Sequence, residues 1–170
     1  SSWLSRNLGP GYAKGGVISP LKQRFPLSQG YNRVHKGIDI AAPTGTPIYA
    51  TADGAITHAG PGARAPGVWG GNEIHVKSGG VERWFAHLSE IAVRAGQMVK
   101  QGDYLGKTGN TGISSGPHLH FGVFSGGWPN DLNPMDYLGG AVNFDSSDMS
   151  GTGGGGGGFS IMSYVAEMLT

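Results

Sequence analysis

The sequence predicts a mainly β domain, an antiparallel sheet fold with little helix. Three observations carry this. Turn-forming residues are abundant, with 33 glycines and 10 prolines in 170 residues, which favours many short strands over long helices. Short apolar runs alternate with turn signals: Pro47 to Ala50 before Asp53-Gly54, Glu73 to Val76 before Ser78-Gly79-Gly80, then Val81 to Phe85. No segment sustains a helical period with a clean cap.

Along the chain, residues 1–20 are rich in Gly, Ser and Pro and read as a lead-in linker, with Trp3 and Leu4 able to dock. Residues 21–138 form the dense domain. It contains an internal echo: Gly45-Thr46-Pro47-Ile48 leading to Asp53-Gly54-Ala55-Ile56, and Gly96-Gln97-Met98-Val99 leading to Gly102-Asp103-Tyr104-Leu105-Gly106. Both read as turn, short strand, Gly turn and strand, so two units can build a pseudo-symmetric β-sandwich. Residues 139–158 end in six consecutive glycines and read as a flexible linker. Residues 159–170 place Phe159, Met162, Val165, Met168 and Leu169 at helical spacing. That segment reads as the start of a following helix or as a disordered end. The whole reads as a piece of a larger protein, monomeric as a domain.

Composition narrows the function. Lys+Arg 12 against Asp+Glu 11 gives a formal net charge of +1. No basic patch is visible, so nucleic acid is not an expected partner. There are no cysteines, which excludes disulfides and thiolate metal sites. A metal here must be held by His, Asp or Glu, a donor set that suits zinc. No apolar run approaches the ~18 residues of a membrane span. Ser1 to Pro10 shows no signal-peptide apolar region.

The six histidines are the informative residues. His118-Leu119-His120 reads as the start of a strand, where residues two apart share a face. Both imidazoles then project together, with Leu119 in the core. Alone, such a pair is more often two surface histidines than a site. His35 and Asp39 stand four apart, on one face of either a strand or a helix, and imidazole with carboxylate is an ordinary zinc pair. Gly37 between them allows close approach. Alone, this reads as a surface ion pair or a turn. His87 ends the aromatic-rich run Val81 to Ala86, and strand ends facing a cleft often carry catalytic groups. Together the groups say more. A catalytic zinc needs three protein ligands and an open position, which His35, Asp39 and one histidine of the pair supply. Two imidazoles remain for proton transfer and hydrogen bonding to the transition state.

These segments resemble the lysostaphin/LytM family of zinc endopeptidases. The resemblance runs in order from about Tyr31 to Phe124. It rests on His35-Lys36-Gly37-Ile38-Asp39, Gly45 to Ala50, Asp53 to Ile56, Ala86-His87-Leu88-Ser89, Gly96 to Gly102, Gly109-Asn110-Thr111-Gly112 and Gly116 to Phe121. It implies an antiparallel β-sandwich of the duplicated hybrid motif type, with the site in a loop-walled groove. It implies one zinc bound by His35, Asp39 and His120, and catalysis by His87 and His118. It also implies hydrolysis of peptide bonds in peptidoglycan stems or cross-bridges, outside the cytoplasm.

Position supplies further candidates. Tyr31 lies just upstream of the first ligand, where some relatives carry a tyrosine that assists the transition state. Trp69 and Asn72, in the loop Gly60 to Asn72, are candidate substrate contacts, with an aromatic packed on the sheet edge as the plainer reading of Trp69. Trp84 and Phe85 are expected in the core. His58 and His75 match no ligand position, and His75, alternating with Ile74 and Val76, is expected to face away from the core. Trp128, Asn130 and Asp131 are expected to close one end of the groove. Two other readings stand beside the enzyme: a non-catalytic peptidoglycan-binding or activator module on the same fold, and more distantly a carrier or phosphotransfer domain. The glycine-rich flanks resemble segments of phage tail tape-measure proteins; a phage endolysin or a secreted bacteriocin fits as well.

Overall fold

The computed structural model describes residues 19–62 and 69–138. The expected lead-in up to residue 18, the linker 139–158 and the segment 159–170 lie outside the described residues.

Among the described residues, eleven short strands form two antiparallel sheets, as the turn-rich sequence predicts. The large sheet contains β1 (Leu27–Gln29), β2 (Ile38–Ile40), β4 (Gly54–Pro61), β5 (Asn72–Ser78), β6 (Val81–Ala86), β8 (Met98–Val99), β10 (Leu119–Ser125) and β11 (Asp131–Leu132). Its order is β1-β2-β10-β6-β5-β4-β8, and β11 pairs with the far end of β10. The small sheet is β3 (Pro47–Tyr49), β9 (Tyr104–Lys107) and β7 (Glu90–Ile91), in the order β3-β9-β7. A 3₁₀ turn, Pro134–Tyr137, is capped by Asn133, whose side chain accepts from the Met135 amide.

The two echoing segments pair crosswise. β3 of the first joins β9 of the second, and β4 of the first joins β8 of the second. Their entry turns match as well. Gly45 and Gly96 both have φ 90, and the amide after each bonds the carbonyl three residues back, Thr46 to Pro43 at 3.2 Å and Gln97 to Arg94 at 3.1 Å. Glycine meets no steric penalty at such positive φ.

The core lies between the sheets and follows the period of two. Leu119, Phe121 and Val123 of β10, Ile74 and Val76 of β5, Phe85 of β6 and Ile38 of β2 are fully buried with Ile48 and Leu105 of the small sheet. Each such side chain contributes about 1.5–3 kcal/mol on burial. Phe85 and Phe121 meet edge to face across β6 and β10. Arg83 is also fully buried on this side of β6, its guanidinium 5.6 Å from the ring centre of Tyr137.

The alternation corrects one expectation. Trp84 cannot share a layer with its neighbour Phe85, and it lies on the opposite face of the sheet. There it is half-buried, stacked on His75 at 4.0 Å and on Trp128 at 6.5 Å. His75 faces away from the core as expected, yet it is only 4% exposed. Its Nε2 lies 2.9 Å from Glu73 and its Nδ1 3.4 Å from Glu82. The second face of the sheet is therefore itself covered, and the site residues stand on that face.

Candidate metal centre and active site

Strand pairing builds the site. On β2, Ile38 and Ile40 point into the core, so Asp39 between them points out. On β10, Leu119 and Phe121 point in and His120 points out. β2 and β10 are neighbours in a register that sets His120 opposite Asp39. Residues distant in sequence thus meet, with His120 Nδ1 2.8 Å from Asp39 Oδ1. His118 precedes β10 and is held by a bridge to Gly109; its Nε2 reaches to 3.6 Å from the same oxygen.

His35 arrives from the loop before β2. The Asn32 side-chain oxygen accepts from the amides of Val34 and His35, both at 2.9 Å, an Asx-type turn that fixes the approach. The His35 ring then bonds Gly30 O through Nδ1 at 2.9 Å and faces Asp39 Oδ1 through Nε2 at 3.1 Å. Gly37 makes room. A Cβ there would meet the His120 ring at 2.6 Å and Phe121 O at 2.8 Å.

His87 follows directly on β6 with φ 63, the one non-glycine residue at positive φ among the described residues. Its ring centre lies 4.6 Å from that of His118 and 6.0 Å from that of His120. The rings of His87 and His118 are held alike, by Nδ1 contacts to backbone carbonyls: His87 to Thr111 O at 2.7 Å, His118 to Gly116 O at 2.8 Å. Ser114 Oγ also lies 3.1 Å from His118 Nδ1. A carbonyl only accepts, so Nδ1 carries the hydrogen in His35, His87 and His118, and each presents Nε2 to the site.

That donor set fits a metal. With its Nδ1 hydrogen engaged, His35 turns an Nε2 lone pair toward a carboxylate oxygen, an unfavourable contact unless a proton or cation lies between. His35, Asp39 and His120 each offer an atom, and these all lie within 4.8 Å of one another. Two nitrogens and one oxygen match a catalytic zinc that keeps its fourth position open.

The electrostatics agree. Burial pushes the Asp39 carboxyl up, but hydrogen bonds from His120 and His35, and their charge, hold it well below the usual carboxylate range. Burial pushes His35 down, and its contacts to Asp39 and Gly30 outweigh this and raise it. Burial lowers His87 most; the contact to Thr111 O and the Asp39 charge work against this, while the nearby His118 and His120 lower it further. A neutral His87 is thereby favoured beside the cation-ready cluster.

All five groups fall within residues 33–134, the stretch that matches the family model described as Peptidase family M23. The chain belongs to peptidase family M23. It is 38% identical over 147 residues to glycyl-glycine endopeptidase ALE-1 of Staphylococcus capitis, covering 81% of this chain and 35% of that protein. It is 44% identical over 121 residues to the DD-carboxypeptidase/endopeptidase Mpg of Neisseria meningitidis serogroup B, covering 70% of this chain and 26% of that protein. The chain thus spans about a third or less of these curated relatives. Among solved structures, lysostaphin from Staphylococcus simulans superposes with a TM-score of 0.65 at 29% identity, over 84% of this chain and 58% of that one. The mainly β, lysostaphin-like fold expected from the sequence is therefore the fold of this M23 domain.

Within the M23 domain the remaining candidates take other places. The Tyr31 hydroxyl donates to Asp131, which also lies 3.4 Å from Lys36 Nζ. That hydrogen bond first, then burial and the carboxylate charge, push the Tyr31 phenol up to about 12. Asn72 donates from its side chain to Leu88 O at 3.3 Å and so ties β5 to the turn after β6. Trp69 is 68% exposed, and its carbonyl accepts from the amide of Ile113, itself 57% exposed. Trp128 stacks on Trp84 and meets Phe124 at a tilt, ring centres 5.7 Å apart. His58 lies by His75, its Nε2 2.9 Å from Pro61 O. The sequence reading missed Asn32, Ser114 and the supporting contacts of Thr111. Only Asn32 carried a local signal, as an Asx-turn residue three positions before His35.

Proposed function

We propose that this chain carries a zinc-dependent endopeptidase that hydrolyses peptide bonds in the stem peptides or cross-bridges of bacterial peptidoglycan, acting outside the cytoplasm. One observation carries the reading. Three ligand-type groups, His35, Asp39 and His120, gather around one carboxylate oxygen, and two further imidazoles present Nε2 atoms beside them.

His35 Nε2, Asp39 Oδ1 and His120 Nδ1 would hold the zinc. When bound, zinc lowers the pKa of a coordinated water to about 7 and polarises the scissile carbonyl. His87 and His118 act beside the ligands. An Nε2 lone pair of these rings accepts the proton of the attacking water, and the imidazolium so formed donates an Nε2–H hydrogen bond to the tetrahedral intermediate. Trp69 and Ile113, both exposed and joined by a backbone hydrogen bond, would offer an apolar surface to substrate, while Tyr31 and Asn72 brace neighbouring loops. The choice of peptidoglycan rests on the relatives, whose names describe a glycyl-glycine endopeptidase and a DD-carboxypeptidase/endopeptidase.

The test is digestion of purified peptidoglycans of different cross-bridge type, with and without a chelator, reading released amines. Cleavage that stops with chelator and returns with zinc is expected, and the preferred wall names the bond. A chain that binds one zinc yet releases no amine from any wall would overturn the enzyme in favour of a binding or activator module.

A further inference from the structure

Thr111 is not part of the His35–Asp39–His120 group, yet it bonds His87, Leu88 and Asn72. Its carbonyl takes the Nδ1 hydrogen of His87 at 2.7 Å. Its amide points at His87 O at 3.5 Å. Its hydroxyl donates to Leu88 O at 2.9 Å and accepts from the Asn72 amide at 3.1 Å. The His87 amide, in turn, donates to Gly70 O at 2.6 Å. The loop holding Thr111 is pressed backbone to backbone on the loop holding Gly70. A Cβ on Gly71 would collide with Thr111 Oγ1, and one on Gly112 with the backbone nitrogen of Gly71. Both glycines have positive φ, 63 and 74.

His87 needs such a frame. A positive φ is uncommon for a residue with a side chain and persists where the surroundings over-determine it. Without the bond to Thr111 O, the imidazole is free to exchange tautomers and rotate about χ2. Nε2 would then cease to be the lone-pair atom aimed at the site.

We propose that Thr111 is a positioning residue: its hydroxyl anchors the 109–112 loop so that its carbonyl fixes the tautomer and ring direction of His87. The proposal deepens the proposed function, since it assumes that His87 serves the reaction. The hydroxyl supplies the anchor and the methyl does not. Serine therefore preserves the frame, whereas isosteric valine loses it while filling the same space.

The experiment compares Thr111→Val and Thr111→Ser, with Thr111→Ala as a smaller replacement should valine fail to fold. In the metal-free wild type, nitrogen-detected NMR of the histidine rings is expected to show His87 as a single Nδ1–H tautomer. Thr111→Val or Thr111→Ala is expected to show a mixture, and Thr111→Ser the wild-type signal. On peptidoglycan, kcat is expected to fall about 10–100-fold in Thr111→Val, the range seen when groups that orient site ligands are removed. KM and zinc content are expected to stay within about twofold, and serine to restore kcat. A valine variant with an unchanged His87 tautomer overturns the proposal, as does equal loss of kcat in the serine and valine variants. Absence of cleavage by the wild type would refute the enzyme reading instead, and the tautomer would still decide the role of Thr111.

Discussion

Gly37 and His120 are packed so closely that no larger residue fits at position 37. A Cβ there would lie 2.6 Å from both Cε1 and Nε2 of the imidazole and 2.8 Å from the carbonyl of Phe121. The ring can rotate away, but the backbone carbonyl belongs to β10 and is held by its partner strands. Gly37→Ala is therefore expected to turn His120 out of the ligand cluster and to strain the β2–β10 pairing. Zinc affinity should fall by about 10–100-fold and stability by about 1–3 kcal/mol. A competition titration against a zinc-binding dye, alongside thermal melting, reads both. Wild-type zinc affinity in this variant would mean that His120 does not hold the metal.

The two histidines of the His118-Leu119-His120 segment stand on one face but are not equivalent. His120 Nδ1 lies 2.8 Å from Asp39 Oδ1, whereas His118 Nε2 lies 3.6 Å away and its ring is anchored to Gly116. His120→Ala is expected to lose both zinc and activity. His118→Ala is expected to keep most zinc and to lose turnover by about 10²–10⁴-fold, the usual contribution of general acid–base groups. Metal analysis with kinetics on the same preparations separates the two, and full activity in either variant would sink the assignment.

The sequence made the site's parts legible more readily than their assembly. The shared face of His118 and His120 follows from spacing; that of His35 and Asp39 does not, because His35 lies on neither strand nor helix but in the loop before β2, turned toward Asp39 by the Asn32 side chain. That these groups meet follows from the pairing of β2 with β10, which no local pattern encodes; the family resemblance supplied it. The supports of His87 and His118 were hidden for another reason. They are backbone carbonyls of Thr111 and Gly116, and a carbonyl has no residue-type signature. The misplacement of Trp84 shows the converse limit. Alternation separates it from Phe85, but which face forms the core depends on which sheet covers it.

Tyr31 illustrates a residue whose place upstream of His35 differs from its contacts. Its hydroxyl donates to Asp131, at the start of the strand that pairs with the end of β10. Tyr31→Phe is expected to lower stability by about 0.5–1.5 kcal/mol through loss of that hydrogen bond. It should leave zinc content unchanged and kcat within a few fold. Melting curves and steady-state kinetics check this. A collapse of kcat with stability intact would place the hydroxyl at the reaction centre.

The metal-free protein should carry the signature of Asp39 in its pH dependence. Asp39 is held below its ordinary value of 3.8, against its burial, by hydrogen bonds and charge from His120 and His35. A lowered carboxyl contributes stability above its unfolded pKa and loses it as pH falls through the folded value. His35 is raised above 6.5 by Asp39 and Gly30, against its burial. A raised imidazole contributes stability below its unfolded pKa and loses it as pH rises through the folded value. The two windows overlap between about pH 4 and 6.5. His87 has the opposite sign, lowered chiefly by burial, and the Asp39 charge works against that lowering, so losing Asp39 raises the cost of His87 in acid and adds to the difference there. The stability difference between wild type and Asp39→Asn, measured by urea unfolding without metal, is therefore expected to be greatest in that window and to shrink on both sides. A difference that keeps rising above pH 7 would show that the Asp39 carboxylate does not stabilise the proton on His35.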